Sequence, residues 1–499
     1  MSYHFLTGAT GLLGSYLLRN CLLAGQRMAV FVRPTKRASA RQRIETQLAH
    51  WERECGRKLP RPIVLEGDLT QLDLDLDAAS LGWIADNCTS VIHNAASLTF
   101  QGGHREAEPW LSNISGTRHV LELCRCTEIR QFHYVSTAYV CGLREGRVLE
   151  SELDEGQPLG NDYEKSKLEA EQMVRDAAFL NRPTIYRPGI ILGDSRTAYT
   201  TTYHGYYAAL KLAYALVSKV ALGVTNGPAL LATLGLAGSE RKHLVPVDWV
   251  SSVIGHVLCR PEHHGKTYHL TGDHPVRVSE IAGTIQEAVE TYGDSLDESD
   301  QMCCSGEWFE KSFCKELSTY RSYWRDDPHF DRANTAAAAP HLPCPRVDRR
   351  MMMMMAKYAI DANFGRRRVR PVKPEFDAHR HLRGLVRAWE ESPEVASGRA
   401  CVGLQVDGPG GGQWRLILER GRPIAAERGL GPHSAASLHL DSKTFGQLAA
   451  HQLSVAKAVR LGRVVVEENG MTSSQLLPVL EAAARPSTAP ALAERDPSS

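Results

Sequence analysis

Between residue 3 and about residue 190, apolar runs of strand length alternate with stretches of helical periodicity, and nothing else in this 499-residue chain restricts its fold so sharply. The runs YHFLT, MAVFV, PIVLEG, SVIHNAA, FHYVST and PTIYRPG are separated by LLGSYLLRNCLLAG, ASARQRIETQLAHWE, RHVLELC and EKSKLEAEQMVRDAA. Consecutive parallel strands need a crossover between them, and a helix supplies it, so the alternation specifies an α/β fold: a doubly wound parallel sheet with helices on both faces. In that architecture ligands sit at the carboxyl ends of the strands.

The length suggests about two or three domains. Lysine and arginine number 58 against 57 acidic residues, a formal charge of +1 that gives no global case for nucleic acid. The twelve cysteines come close only at Cys124/Cys126 and Cys303/Cys304, without the C-x-x-C spacing of zinc or redox sites. No metal is expected. MSYHFLTGATGLLG runs at once into strand and glycine turn, leaving no room for a signal region, so the expectation is a cytoplasmic protein. The most apolar tract, residues 206 to 238, is interrupted by Lys211 and Lys219 and broken at Asn226-Gly227-Pro228. It suits a pocket wall or an amphipathic surface better than a spanning helix, and peripheral membrane contact stays open.

From 190 to 290 the pattern weakens, with a strand-like TYHLTG at 267 to 272 and a helix-like VSEIAGTIQEAV; this region is expected to cap the sheet and build the substrate pocket. The expected domains are 1–290, a helical extension and linker over 291–375, a small α+β domain over 376–486, and a disordered tail over 487–499. The extension holds Met351 to Met355, either helix core or a soft acyl-chain surface, and GRRRVRPVKP, whose arginines at 366–368 and 370 read as a solvated linker, with the acidic surface of a carrier protein as the alternative partner. In the small domain, CVGLQVDGPGGGQWRLIL reads as strands joined by a hairpin around Gly408 to Gly412. ASLHLDSKTFGQLAAHQL reads as strand into helix with Asp441 or Ser442 as N-cap, GRVVVEENG as a strand, and TSSQLLPVLEAAA as a closing helix.

TGATGLLG lies between the first strand and the first helix, where Gly8, Gly11 and Gly14 permit a tight turn and let a pyrophosphate approach the helix N-terminus; Thr10, Leu12 and Leu13 belong to the same candidate cofactor stretch. The second strand ends in VFVRPTKR. An acidic residue there would hold a ribose 2′-hydroxyl, whereas Arg33, with Lys36 or Arg37, suits the 2′-phosphate of NADPH. Asp68, beside Leu69, follows the third strand and is a candidate acceptor for the adenine amino group. Asn94, Ala95 and Ala96 follow the fourth, where small residues let backbone approach a cofactor. Asn113 in NISGT either holds a catalytic helix or a water, or lies on a helix surface.

Ser136 and Thr137 end the fifth strand, and Tyr163 stands four residues before Lys167 in NDYEKSKLE. A phenol titrates near 10 unperturbed, and a lysine ammonium one turn away with a positive nicotinamide ring would bring it down. Thr137 would hold the substrate oxygen. Lys165 points roughly 160° away from Lys167 around the helix.

The order TGATGLLG, GDL, HNAA, VSTAYV, YEKSK and YRPG resembles the extended short-chain dehydrogenase/reductases, with their Rossmann-type fold, and FVRPTKRASARQRIE and GDLTQLDLDL resemble the thioester-reductase and fatty acyl-coenzyme A reductase branch. The resemblance implies a catalytic set of Thr137, Tyr163 and Lys167, with Ser136 as substitute for Thr137, and Pro188 and Gly189 bordering the nicotinamide. LVPVDWV resembles a later element of that branch, which places Val245 to Asp248 near cofactor or pocket, and YWRDDPHFD resembles its helical tail. The C-terminal region resembles a sterol carrier protein-like domain, implying a lipid or sterol ligand; a docking module without ligand is the alternative.

The resemblance implies NADPH-dependent reduction of an acyl thioester, on coenzyme A or an acyl carrier protein, to aldehyde or alcohol. Two rivals remain: an extended reductase or epimerase acting on a sterol, ketone or nucleotide sugar, and a lipid-binding protein whose reductase domain senses NADPH.

Overall fold

A computed structural model of the chain describes residues 2–35, 38–219, 236–293, 323, 325–365, 378, 382, 399–407, 410–420, 422–430, 434–450 and 452–468. Outside the described residues lie Lys36, Arg37, the break at 226–228, Cys303 and Cys304, the arginine and proline run of 366–374, Gly408, the expected closing helix at 472–484 and the tail. The chain forms two compact units: Met1–Ile44 with Ile63–Arg368, and Glu45–Pro62 with Val369–Ser499.

In chain order, the first unit's main elements are β1 (Tyr3–Thr7), α1 (Leu12–Leu23), β2 (Met28–Val32), α2 (Ala40–Cys55, crossing into the second unit), β3 (Ile63–Glu66), α3 (Ala78–Asn87) and β4 (Cys88–His93). There follow α4 (Gly116–Cys126), β5 (Gln131–Val135), α5 (Asp162–Asp176), β6 (Thr184–Pro188), β7 (Ile190–Leu192), α6 (Tyr206–Lys219), β8 (Leu244–Pro246), α7 (Val247–Leu258), β9 (Thr267–Leu270) and α8 (Val278–Tyr292). Seven strands make one sheet in the order β9-β6-β5-β4-β1-β2-β3, every pair parallel. Because helices cover both faces, the central strands are apolar throughout: all five residues of β2 are buried. The chain leaves β1 for β2 and β3 and then returns to β4 on β1's other side. That reversal opens a crevice above the carboxyl ends of β1 and β4.

One expectation changes. Residues 267–270 do not cap the sheet; as β9 they extend it, pairing with β6 from Thr267–Ile185 to Leu270–Pro188. TYHLTG is too short a stretch to show which strand it will join. The methionine run lies in α9 (Arg349–Asp361), where Met352 and Met355 are fully buried against α6 and α8 and the other three pack at the edge of the same cluster. It is helix core.

The second unit contains β10 (Arg399–Asp407), β11 (Gly412–Glu419), β12 (Arg422–Arg428), β13 (Ala436–Asp441), α10 (Ser442–Ala449), α11 (Val455–Arg460) and β14 (Val464–Glu468). Its sheet runs β12-β11-β10-β13-β14. The hairpin of β10 and β11 is antiparallel as expected, but β13 joins β10 in parallel, so the sheet is mixed. Alternate residues Trp414, Leu416 and Leu418 of β11 face the core, which Phe445 and Leu448 of α10 help fill. Asp441 is the N-cap of α10, accepting from Thr444 N at 2.7 Å. No described helix is long and apolar enough to cross a membrane.

Candidate active site

The glycine turn closes on itself and on β4. Gly8 has φ +69°, and a Cβ there would lie 2.7 Å from Ala95 N; a Cβ on Gly14 would lie 2.0 Å from Gly8 O. Gly11 has more room, its nearest neighbour 3.4 Å away. Gly11 caps α1 without a side-chain bond, and the first turn holds no acidic residue, so the amides beginning at Leu12 and Leu13 present an uncompensated positive end. This cradle fits a dinucleotide pyrophosphate.

Arginine surrounds the same turn. Arg43 of α2 donates to Thr10 Oγ1 at 2.8 Å and to the Arg33 carbonyl, so that burial, with the nearby Arg33 charge, lowers its pKa. Arg33 stays 63% exposed with its guanidinium 3.9 Å from Asp68. Asp68 spends Oδ1 on Thr70 N and Oγ1, at 3.0 and 2.9 Å, so only its second oxygen remains for a ligand. Leu69 packs towards Gly116 and its carbonyl meets His119 Nδ1 at 2.9 Å.

Polar bonds fix the end of β4 completely. Thr117 Oγ1 lies 2.6 Å from the Asn113 carbonyl and must donate to it; it therefore accepts from His93 Nε2–H at 3.0 Å. Burial, reinforced by the Lys167 charge, drives the His93 pKa down to about 3, so the ring is neutral and its Nδ1 accepts from Thr7 at 2.8 Å. The Thr7 oxygen then accepts from Asn94 N at 3.2 Å and Ala95 N at 3.1 Å. Asn94 Nδ2 reaches Gly8 O at 3.2 Å, while Ala96 is exposed.

Asn113 is buried, and its side chain ties two elements together rather than facing the crevice. Its oxygen accepts from Ser97 N at 2.8 Å, and its NH₂ donates to Ser97 O at 3.1 Å and to Ser166 Oγ of α5 at 2.8 Å. Ser166 donates onward to Tyr163 O at 2.8 Å.

Thr137 and Ser136 part company at the end of β5. Thr137 is set against Tyr163 and draws its phenol's pKa down, whereas the buried Ser136 Oγ has no hydrogen-bond partner among the described residues and lies towards the Glu171 carboxylate, itself held low mainly by Arg187 against the cost of burial. Glu171 and Arg187 form a buried pair at 2.7 Å. Neighbouring strand residues face opposite ways, so only Thr137 joins the phenol.

The tyrosine–lysine pair departs from expectation. Burial pushes Tyr163 up to about 12, with Thr137 pulling the other way. Lys167 Nζ donates instead to Tyr134 Oη at 2.9 Å and to Val135 O at 2.7 Å, 4.3 Å from the Tyr134 ring centre. Burial draws Lys167 down to about 7, against the opposing charge of Glu171. Lys165 is half-exposed and 3.4 Å from Asp162.

Gly189 follows β6 where a Cβ would come 2.5 Å from His243 O, and Pro188 is the buried last residue of that strand. Val245 pairs with Ile191, and Asp248 accepts from Ser195 N and Oγ at 2.8 and 2.7 Å, tying the chain after β7 to the start of α7.

Several neighbours escaped sequence reasoning. Phe100 meets Tyr163 edge-on at 5.7 Å and Tyr323 at 5.6 Å; Tyr323 lies 5.0 Å from Tyr139, whose hydroxyl donates to Asp327 at 2.8 Å. YWRDDPHFD thus places Tyr323 and Asp327 in the aromatic wall beside Tyr163. Arg43 had a readable signal, a basic residue opening the helix after Arg33; Tyr134 had none beyond its place in an apolar strand.

Residues 6–254 match the family model described as Male sterility protein. The chain is 25% identical over 289 residues to nonribosomal peptide synthetase asaC of Aspergillus flavus, covering 56% of this chain and 27% of that protein. It is 26% identical over 360 residues to the L-2-aminoadipate reductase large subunit of Penicillium chrysogenum, covering 67% of this chain and 23% of that one. It therefore spans about a quarter of the length of these curated relatives. Among solved structures, the terminal R domain from the myxalamid PKS-NRPS biosynthetic pathway is 26% identical with a TM-score of 0.58, covering 73% of this chain and 92% of that one.

Proposed function

We propose that this chain, whose residues 6–254 match the family model and which resembles reductase domains in its relatives, is an NADPH-dependent oxidoreductase of the extended short-chain dehydrogenase/reductase and thioester-reductase family that reduces an acyl thioester held on coenzyme A or an acyl carrier protein. The observation that carries the reading is the burial together of Thr137, at the carboxyl end of β5, with Tyr163 and, one turn further along α5, Lys167.

The glycine turn from Gly8 to Gly14 and the amides of α1 would hold the pyrophosphate. Arg33 and Arg43, both near Thr10, favour a 2′-phosphate and hence NADPH over NADH. The bound cofactor supplies hydride. Thr137 and Tyr163 would donate to the thioester oxygen as negative charge develops there, stabilising it beside the rings of Phe100 and Tyr323. A phenol held near 12 remains protonated at neutral pH, so Tyr163 serves as hydrogen-bond donor to that oxygen rather than as a standing phenolate. Loss of the thiol leaves an aldehyde; a second reduction, with Tyr163 delivering its proton, leaves an alcohol.

Purified chain incubated with NADPH and a long-chain acyl-coenzyme A should release free thiol in step with NADPH oxidation, one NADPH per thiol for an aldehyde and two for an alcohol. NADPH oxidation with ketone or sterol substrates but no thiol release would overturn the thioester reading in favour of an ordinary carbonyl reductase. For the second unit we propose an apolar acyl or sterol ligand, on its sterol carrier-like pattern; mass spectrometry of lipids copurifying with the intact chain tests it, and a lipid-free preparation favours docking.

A further inference from the structure

We propose that Tyr134 is a positioning residue for this reaction: its phenol oxygen holds Lys167 in place as an ammonium ion facing the cofactor crevice. The inference rests on the reductase reading above and adds a residue that the Thr-Tyr-Lys set does not contain.

The geometry around Tyr134 gives it one role. Lys167 Nζ donates to its phenol oxygen at 2.9 Å, and Thr117, whose own hydroxyl donates to the Asn113 carbonyl, is the phenol's other polar neighbour. Val135 O takes a second ammonium proton at 2.7 Å, and one N–H of the three remains for a ligand. The Tyr134 ring adds a cation–π contact at 4.3 Å. The arrangement closes on itself, because Asn113, whose carbonyl receives the Thr117 proton, also anchors α5 at Ser166, the residue before Lys167.

The groups around Lys167 come from four elements: Tyr134 and Val135 of β5, His93 of β4, Tyr163 and Glu171 of α5, and Arg187 of β6 through Glu171. His93 is neutral and the Glu171 charge is shared with Arg187 and Arg175. Both direct protein acceptors of the ammonium are therefore uncharged. Tyr134 is the one whose oxygen a substitution can delete, since the other is backbone.

Removing that acceptor weakens the charged form of Lys167, so whatever depends on the ammonium must disappear at a lower pH. The test reads NADPH affinity by nicotinamide fluorescence between pH 5.5 and 9, without substrate. In the unaltered protein, affinity should be full in acid and fall as pH rises through about 7. In Tyr134→Phe the fall should move acidwards by about one pH unit, a roughly tenfold weaker affinity at pH 8 that shrinks to about 1.3-fold at pH 5.5. An unmoved limb, or a loss of the same factor at every pH, would show a packing role only and overturn the proposal. If the phenylalanine variant does not fold, 3-fluorotyrosine at position 134 weakens the acceptor without changing its shape and should give a smaller shift of the same sign; no shift overturns the proposal. Thiol release from acyl-coenzyme A is followed in parallel. Its absence in the unaltered protein counts against the thioester reading, while the affinity limb still decides the role of Tyr134.

Discussion

Two deeply buried cations, one in each unit of this chain, are treated in opposite ways. Lys167 in the first unit is 2% exposed and is met by a phenol and a carbonyl; burial wins, and its pKa falls to about 7. Arg61 in the second unit is 3% exposed, with Glu45 at 3.0 Å, Asp407 at 2.7 Å and Glu52 in closer contact. There burial is again the largest influence, but the three carboxylates together outweigh it, and the guanidinium is held more firmly charged than usual. A cation with neutral partners can change its protonation or accept a new partner; one ringed by carboxylates can do neither. The proposed chemistry therefore belongs to the first site, and Arg61 is a fastening.

The sharpest way to break that contrast is to remove the two cations in turn. Lys167→Ala should lower turnover of NADPH by about 10³-fold, while Lys165→Ala, whose side chain is half-exposed beside Asp162, should stay within about twofold. Steady-state kinetics decide it: equal behaviour of the two variants would make the helix an ordinary solvated surface. Arg61→Ala takes the shared guanidinium away from three buried carboxylates and should cost about 3–5 kcal/mol, read by denaturant unfolding, without moving the pH limb of NADPH binding. If that limb moved, the two cations would not be separable in the way proposed.

Smaller effects sharpen the account of the first unit. Gly14→Ala, which forces a Cβ against Gly8 O, should weaken NADPH binding by about 100-fold, whereas Gly11→Ala, with 3.4 Å of room, should weaken it by less than about tenfold; isothermal titration distinguishes them. Arg43→Ala should narrow the preference for NADPH over NADH by about tenfold in competition binding. Ser136→Ala should change kcat by about twofold at most, because its hydroxyl bears on Glu171, whereas Thr137→Val removes the Tyr163 partner and should lower kcat by about 100-fold.

The alternation from β1 to β6 was legible because each element writes its own period, and a glycine turn between strand and helix is a local event. Tyr163, Lys167 and Thr137 were legible for a related reason: their spacing along one helix and one strand end is local too. The position of TYHLTG at the sheet edge was not, since pairing partners are chosen across some 80 residues of chain. Nor was the parallel entry of β13 beside β10, or the presence of Tyr323 and Asp327 near Tyr163.

The sequence by itself determined the parallel α/β sheet and the glycine turn at its switch point, and it offered the residues proposed to move a proton there. Only the tertiary structure decided what those residues experience. Lys167 and Tyr163 stand one helical turn apart, yet the lysine is bonded to Tyr134 on a strand and the phenol is drawn down by Thr137. Protonation is set by burial and by whichever groups the fold brings within about 3 Å, and neither quantity is a property of spacing along the chain.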